Sequence, residues 1–449
     1  VFIISKLYEK IIKDIEEGIE KGVYTVGKKI PSVRELSKKY NCSINTVIKA
    51  YDTLKNNHVI YANPKSGYYI VENINKINIS TSDTINFYSG NTLIGDMNIP
   101  DLKHCLNWAG DLYKNNSLDS NHTGVDSLKD ASLKYLSNFQ VFTKKENLFI
   151  TMGTVQTLNL LIDMNFPNNK TKILLEQPSY GHFLDNLKML NIDIMGIERN
   201  EDGINLDKLE KIFKEEPIKF FYTIPRHHNP LGTTLKKSQR KAIAKLAAKY
   251  DVYVVEDDYF SDIYLDEKYD PIYSYSDFTH VIYLKSFSKI MPWMRVGVSV
   301  MPNNLIGSFK NHIKKLDIRY YISPSLLSQA TLEIYIRSNI LKKHSDVITN
   351  DLKKKHKILS NELLSLKNIG INCFSDISGF YSYIFLPDHI NEDILIKELR
   401  NNKVIVGPGK RCFIDNSFYK KGIRLSISSV STKDIINGLN IIKKCLINS

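Results

Sequence analysis

Cysteine is scarce in this chain: five in 449 residues, at Cys42, Cys105, Cys373, Cys412 and Cys445, with no Cys-x-x-Cys pair. Scattered in this way they form neither a disulfide framework nor a cysteine zinc site, and they read as reduced and structural. Long apolar runs are missing as well; none approaches the roughly 20 residues of a membrane-spanning helix. Val1-Phe2-Ile3-Ile4 is too short for a signal-peptide core and runs straight into Lys6, Glu9 and Lys10. A soluble, cytoplasmic protein with no membrane partner is the expectation. Acidic residues are outnumbered, 48 Asp and Glu against 61 Lys and Arg, for a net charge of +13. That balance permits an acidic partner without naming one. What is present, 43% hydrophobic and 24% charged residues over 449 positions, suits two or three globular domains.

The positive charge is densest at the start, where residues 1–72 hold 12 Lys and Arg against 8 Asp and Glu. Leu7, Tyr8, Ile11, Ile15 and Ile19 recur at helical spacing until Gly22 and Gly27 break the pattern. Pro31-Ser32-Val33-Arg34-Glu35 opens a second helix, with Ser32 and Glu35 at capping-box spacing. Ser43 caps a third, in which Val47, Ala50, Tyr51 and Leu54 face inward and Asn45, Thr46 and Lys49 face outward. Two strand-like runs, Val59–Ala62 and Tyr68–Val71, flank the turn Asn63-Pro64-Lys65-Ser66-Gly67. Three helices and a basic hairpin serve either DNA binding or protein docking.

Pro31-Ser32-Val33-Arg34-Glu35-Leu36, Ser43-Ile44-Asn45-Thr46-Val47, Ala50-Tyr51-x-x-Leu54 and Ser66-Gly67-Tyr68 resemble the winged helix-turn-helix of GntR-type bacterial regulators. The resemblance implies a double-stranded DNA operator as partner. It places Arg34, Ser43, Asn45, Thr46 and Lys49 near the major groove and Lys65 in the wing. Asn57-His58 departs from the glycine that the family usually carries before the wing.

Residues 73–84 are polar and without period, and read as a linker between a DNA-binding domain at 1–72 and a second domain at 85–449. Beyond it strand-like runs alternate with helical ones. Asn147–Thr151, Ile173–Glu176, Phe220–Ile224, Val252–Glu256, Val281–Leu284 and Val296–Met301 predict a largely parallel α/β sheet with its ligand at the strand carboxyl ends. A smaller α+β region, containing Phe380–Leu386 and Ile423–Ser428, follows.

The polar residues at those strand ends each have two readings. Thr151-Met152-Gly153-Thr154-Val155 opens a helix whose N–H groups suit a phosphate, or is a plain strand-to-helix turn. Tyr180 is a stacking ring or one of 26 tyrosines in a core. Asn229-Pro230 is a turn, or an amide placed for a phenolic oxygen. Glu256-Asp257-Asp258-Tyr259 offers a counter-charge to a pyridinium, or a magnesium site. Lys289, in Ser286-Phe287-Ser288-Lys289, is a surface charge or an amine that forms a Schiff base with an aldehyde cofactor; Ser286 and Arg295 bracket it.

In this order they resemble the fold-type I, aspartate-aminotransferase-like enzymes that use pyridoxal 5'-phosphate (PLP). The resemblance implies Gly153, Thr154, Val155, Ser286 and Arg295 around the phosphate and Tyr180 stacked on the ring. Asn229 and Tyr259 would meet the 3′ oxygen, and Asp257 the pyridine nitrogen. Lys289 becomes the catalytic Schiff-base lysine and Arg424, in Gly422-Ile423-Arg424-Leu425-Ser426, the binder of a substrate or effector carboxylate. Lys289 and Arg295 stand six apart where this group often has seven or eight. A winged helix followed by such a domain resembles the MocR subfamily of GntR regulators. The resemblance implies a head-to-tail homodimer that senses PLP or a small amino compound and binds no metal. The alternative is a working aminotransferase with an accessory DNA-binding module.

Overall fold

A computed structural model of the chain describes residues 2–25, 27–57, 59–63, 66–71, 83–92, 98–115, 122–263, 269–320, 323–374 and 378–448. It divides into two compact units, Val1–Ser82 and Asp83–Ser449. His58, Pro64, Lys65 and most of the predicted linker lie outside the described residues. Among the described residues no helix is long and apolar enough to cross a membrane.

The first unit packs helices α1 (Phe2–Glu20), α2 (Val33–Lys39) and α3 (Ile44–Asn56) with a hairpin of β1 (Ile60–Asn63) and β2 (Gly67–Ile70). Ser32 and Glu35 form the expected capping box: the Ser32 Oγ accepts from the Glu35 N–H, and the Ser32 N–H donates to Glu35 Oε2 at 2.6 Å. Ser43 caps α3 by accepting from the Thr46 N–H at 3.2 Å. The apolar stripe of α1 meets α3 in a core of Ile11, Ile15, Leu36, Val47, Tyr51 and Leu54, closed by Ile60 and Ile70 from the hairpin. β1 and β2 pair antiparallel, with Ile60 opposite Ile70.

One expected orientation is corrected. Thr46, read as facing outward beside Asn45 and Lys49, is buried with its hydroxyl 2.9 Å from the Ser43 Oγ. A threonine whose hydroxyl finds a partner at the cap loses little by turning its methyl inward. The outward face of α3 is instead Ile44, Asn45, Ile48 and Lys49.

The second unit opens with a short strand, β3 (Ile85–Asn86). Its main sheet has eight strands: β4 (Leu148–Thr151), β5 (Lys172–Gln177), β6 (Ile194–Asn200), β7 (Gly203–Ile204), β8 (Ile218–Thr223), β9 (Tyr253–Asp257), β10 (Val281–Ser286) and β11 (Gly297–Val300). Their spatial order is β4-β11-β10-β9-β8-β5-β6-β7. The pairs β10–β9, β9–β8, β8–β5 and β5–β6 are parallel, and β11 runs antiparallel to both of its neighbours. Strands β8 and β9 are buried along their whole length, which is why they read as continuous apolar runs rather than alternating ones. A smaller antiparallel sheet of β12 (Tyr381–Phe385), β14 (Gly407–Pro408) and β15 (Gly422–Ser426) lies in the C-terminal region, while β13 (Val404–Ile405) pairs with β3.

This topology brings the carboxyl ends of β4, β5, β8, β9 and β10 to one edge. The antiparallel β11 contributes its first residue, Gly297, to the same edge, so the residues on either side of each end are the ones that line a site there.

Candidate functional site

A cavity of about 620 Å³ opens at that edge, and all eleven residues selected from the sequence of the second unit line it. At the end of β4, Gly153 adopts a φ of +81° and leads into the helix Thr154–Asp163. A Cβ on Gly297 would stand 2.9 Å from the backbone of Gly153, so two glycines let the start of β11 pass directly against the turn. Thr154 and Val155, the first residues of this helix, line the cavity together with Ser286 and Arg295. Ser286 Oγ lies 2.8 Å from the Ser288 Oγ, and Arg295 holds a φ of +51°.

Asp257 ends β9. The Tyr222 hydroxyl donates to its Oδ2 at 2.8 Å, while its Oδ1 is buried with no hydrogen-bond partner. Burial pushes the Asp257 carboxyl up to about 7, against the Tyr222 hydrogen bond and the charge of Lys289, which lower it. Its neighbour Asp258 is committed elsewhere. Arg226 grips both Asp258 oxygens, at 2.5 and 2.7 Å, and Tyr283 donates a third hydrogen bond at 2.6 Å. Burial opposes the Asp258 charge, but Arg226, Tyr283 and Lys285 together outweigh it and hold the carboxyl below its usual range. Glu256 accepts from the N–H groups of Ile272 and Tyr273, and burial pushes it up to about 8. Three successive acids thus diverge to three different partners, whereas a shared magnesium ion needs carboxylates that converge.

Lys289 reaches the cavity with its ammonium donating to the Gly90 carbonyl, and the Thr92 hydroxyl bonds its own carbonyl at 3.1 Å. Lys285, one strand turn earlier, does not reach it. Its Nζ is buried against Asp262 at 2.7 Å and Ser261, ringed by Tyr135, Phe139 and Phe287. Arg424 of β15 also lines the cavity; it donates to Asn229 Oδ1 at 3.4 Å and to the Tyr88 carbonyl, with the Tyr381 ring 5.1 Å from its guanidinium. Tyr180 lines the same cavity.

Tyr259 lines the cavity, and its hydroxyl donates to the His227 carbonyl at 2.6 Å. Other lining residues carry no sequence signal: Tyr88, Tyr381, His182 and Arg411. Arg411 donates to Asp185 at 2.5 Å, to the Tyr88 hydroxyl and to His182 Nδ1, and burial together with Arg411 lowers the His182 pKa. Tyr222 was legible as part of a strand, but not as the donor that orients Asp257.

These features fit PLP on the structure's own terms. A buried carboxylate oxygen without a hydrogen-bond partner, on a residue that lines the cavity, suits a proton-bearing nitrogen. A glycine turn into a helix N-terminus with an arginine nearby suits a phosphate, and a lysine stands across the same cavity.

In the first unit Arg34 is exposed on α2, and Asn45 and Lys49 are exposed on α3. The Lys49 Nζ rests 4.3 Å from the centre of the Tyr8 ring. Ser43 is exposed but its hydroxyl is engaged by Thr46.

Residues 7–70 match the gntR family of bacterial regulatory proteins, and residues 83–442 match the aminotransferase class I and II family. The uncharacterized HTH-type transcriptional regulator YcxD of Bacillus subtilis (strain 168) is 37% identical over 441 residues, covering 97% of this chain and 98% of its own. The HTH-type transcriptional regulator NorG of Staphylococcus aureus (strain USA300) is 27% identical over 451 residues, covering 92% of this chain and 98% of its own. Among solved structures, a kynurenine aminotransferase of Pyrococcus horikoshii superposes with a TM-score of 0.74 at 23% identity, over 82% of this chain and 92% of that one. At that identity the likeness establishes the fold of the second unit. The chain therefore belongs to the MocR-type branch of the gntR regulators, in which a DNA-binding helix-turn-helix unit is joined to an aminotransferase class I and II domain of the PLP-dependent fold type I.

Proposed function

We propose that this regulator senses PLP, a small amino compound, or both, through the cavity of its second unit, and adjusts its grip on DNA accordingly. The observation that carries this reading is the convergence of eleven sequence-selected residues on one cavity in a chain that also carries a gntR unit. When bound, PLP supplies an aldehyde that joins reversibly to a primary amine. The chain's own residues do the rest. Thr154, Val155, Ser286 and Arg295 hold the phosphate, Tyr180 covers the ring, and Asp257 keeps the ring nitrogen protonated. Lys289 offers the amine that an effector amine displaces. Asn229 and Tyr259 would be the partners of the 3′ oxygen. Arg424 offers two parallel donors to an effector carboxylate.

We infer a head-to-tail homodimer as the working form, with Trp108 and Leu112, exposed on the helix Ile99–Leu112, as apolar surface for a second copy to cover. An operator read by two such units contains a repeated half-site. The compartment is the one that holds the operator, the cytoplasm in a bacterium. A second reading, an aminotransferase that turns over, is favoured by the presence of lysine, counter-acid and carboxylate fork in one cavity. Steady release of a 2-oxo acid from an amino acid supports it; an effector held without product release supports the sensor.

Lys289→Ala removes the amine. After borohydride reduction, intact mass of the wild type retains one cofactor, and the variant retains none. A reduced adduct on another lysine contradicts the assignment.

Asp257 sets a pH dependence. Its carboxyl titrates near 7 in the folded protein, above its unfolded value of 3.8, so folding favours the protonated form. Stability of the cofactor-free protein falls as pH rises through this window and stays low above it. Asp257→Asn removes that loss: the cofactor-free variant melts higher than wild type at pH 8, yet retains PLP less well. Equal melting at pH 8, or undiminished retention, counts against the role.

Arg424→Ala separates the two effectors. Amines bearing a carboxylate shift operator binding in the wild type and lose that effect in the variant, while the response to PLP alone persists. Equal amine shifts in both proteins refute carboxylate capture.

A further inference from the structure

The outward face of α3 carries two isoleucines among its polar residues, where a DNA-reading helix is expected to be polar. Ile44 and Ile48 are 47% and 39% exposed, one helical turn apart on the same face, while every apolar residue on the other side of α3 is buried in the core. Asn45 and Lys49 flank them. Arginine is absent from α3, and the only arginine in residues 1–72 is Arg34 on α2. Lys49, the remaining cation in the first two turns of α3, has its ammonium over the Tyr8 ring.

Base recognition in the major groove follows from side-chain chemistry. Guanine is read by a fork of donors from arginine or by lysine, adenine by an asparagine or glutamine amide, and thymine by apolar contact with its 5-methyl group. The first two turns of a recognition helix are the part that meets base edges. On this helix they offer two β-branched hydrocarbon side chains and one amide. Ile44 and Ile48 remain 47% and 39% exposed among the described residues, and Asn45 and Lys49 beside them suit a polyanion more than an apolar protein surface.

We propose that α3 reads A·T base pairs, with Ile44 and Ile48 packed on thymine methyl groups and Asn45 on an adjacent adenine. Guanine reading is left to Arg34. This rests on the DNA-binding reading of the first unit and adds the base class that it selects.

The test uses the full chain at one fixed salt concentration, because backbone contacts vary steeply with salt. Binders are selected from a randomised duplex pool, and the tightest is resynthesised with its thymines replaced one at a time by deoxyuridine, which deletes only the major-groove methyl. The selected half-sites carry consecutive A·T pairs, and one or two replacements per half-site weaken binding about fourfold each, the burial value of one methyl group. Ile44→Ala and Ile48→Ala, at exposed positions where alanine favours the helix, each bind the thymine and deoxyuridine duplexes equally at one of those positions. Deoxyuridine duplexes that bind the wild type as tightly as thymine duplexes overturn the proposal and leave the isoleucines as cover for protein. A deoxyuridine penalty that persists in both alanine variants also overturns it, by assigning the methyl to another residue. Failure to select any sequence at all is a different result, because it removes the DNA-binding reading itself.

Discussion

The second unit depends on a carboxylate that is buried before its partner arrives. Asp257 has one oxygen oriented by Tyr222 and the other unpaired at the end of a fully buried strand. Removing an ionised carboxylate from water is expensive, so burial raises the Asp257 pKa. A protonated ring nitrogen would supply a donor and a positive charge to this carboxyl and so favour its ionised form. The same strand end could not do this with both acids free, and Arg226 prevents it by taking Asp258 away.

Other buried charges serve the surrounding frame. Glu176, near the end of β5, is gripped by Arg199 at 2.5 Å and also accepts from the Thr223 hydroxyl and the Ile224 N–H of β8 and its following loop. Burial opposes the Glu176 charge, but Arg199, His228 and the Ile224 N–H together outweigh it, leaving the carboxyl at about 2. Lys285 pairs with Asp262 under β10. Breaking such a pair by removing one partner costs about 3–5 kcal/mol, because the other charge is stranded. These pairs hold the strand ends, so Asp257 and the loops carrying Tyr180, Asn229 and Lys289 start from fixed points.

The site was legible in the sequence because each of its main residues follows an apolar run, and a sheet places the ends of such runs together. Asp257 and Lys289 stood out as candidates at the ends of such runs, and the resemblance to aspartate-aminotransferase-like enzymes supplied their roles and Arg424. Strand direction could not: β11 has the same apolar pattern antiparallel as it would have parallel. Arg411, Tyr88 and Tyr381 reach the cavity from the C-terminal region and from the start of the second unit, through contacts that local patterning does not encode. Tyr259 was placed on the cavity wall, but the His227 carbonyl that takes its proton lies on a different loop. Thr46 misled for the opposite reason. Its polarity suggested solvent, while a single hydroxyl partner at the helix cap made burial acceptable.

If the cavity governs DNA binding, the two ligands must influence each other equally, since coupling between binding sites is reciprocal. The decisive measurement is the PLP dissociation constant of the full chain with and without saturating operator duplex, paired with the operator dissociation constant with and without PLP. The account predicts that both constants change by the same factor, on the order of 5–150-fold, as for a coupling of about 1–3 kcal/mol. Two constants that do not move would show that the cavity and the DNA-binding unit act independently, and would contradict it.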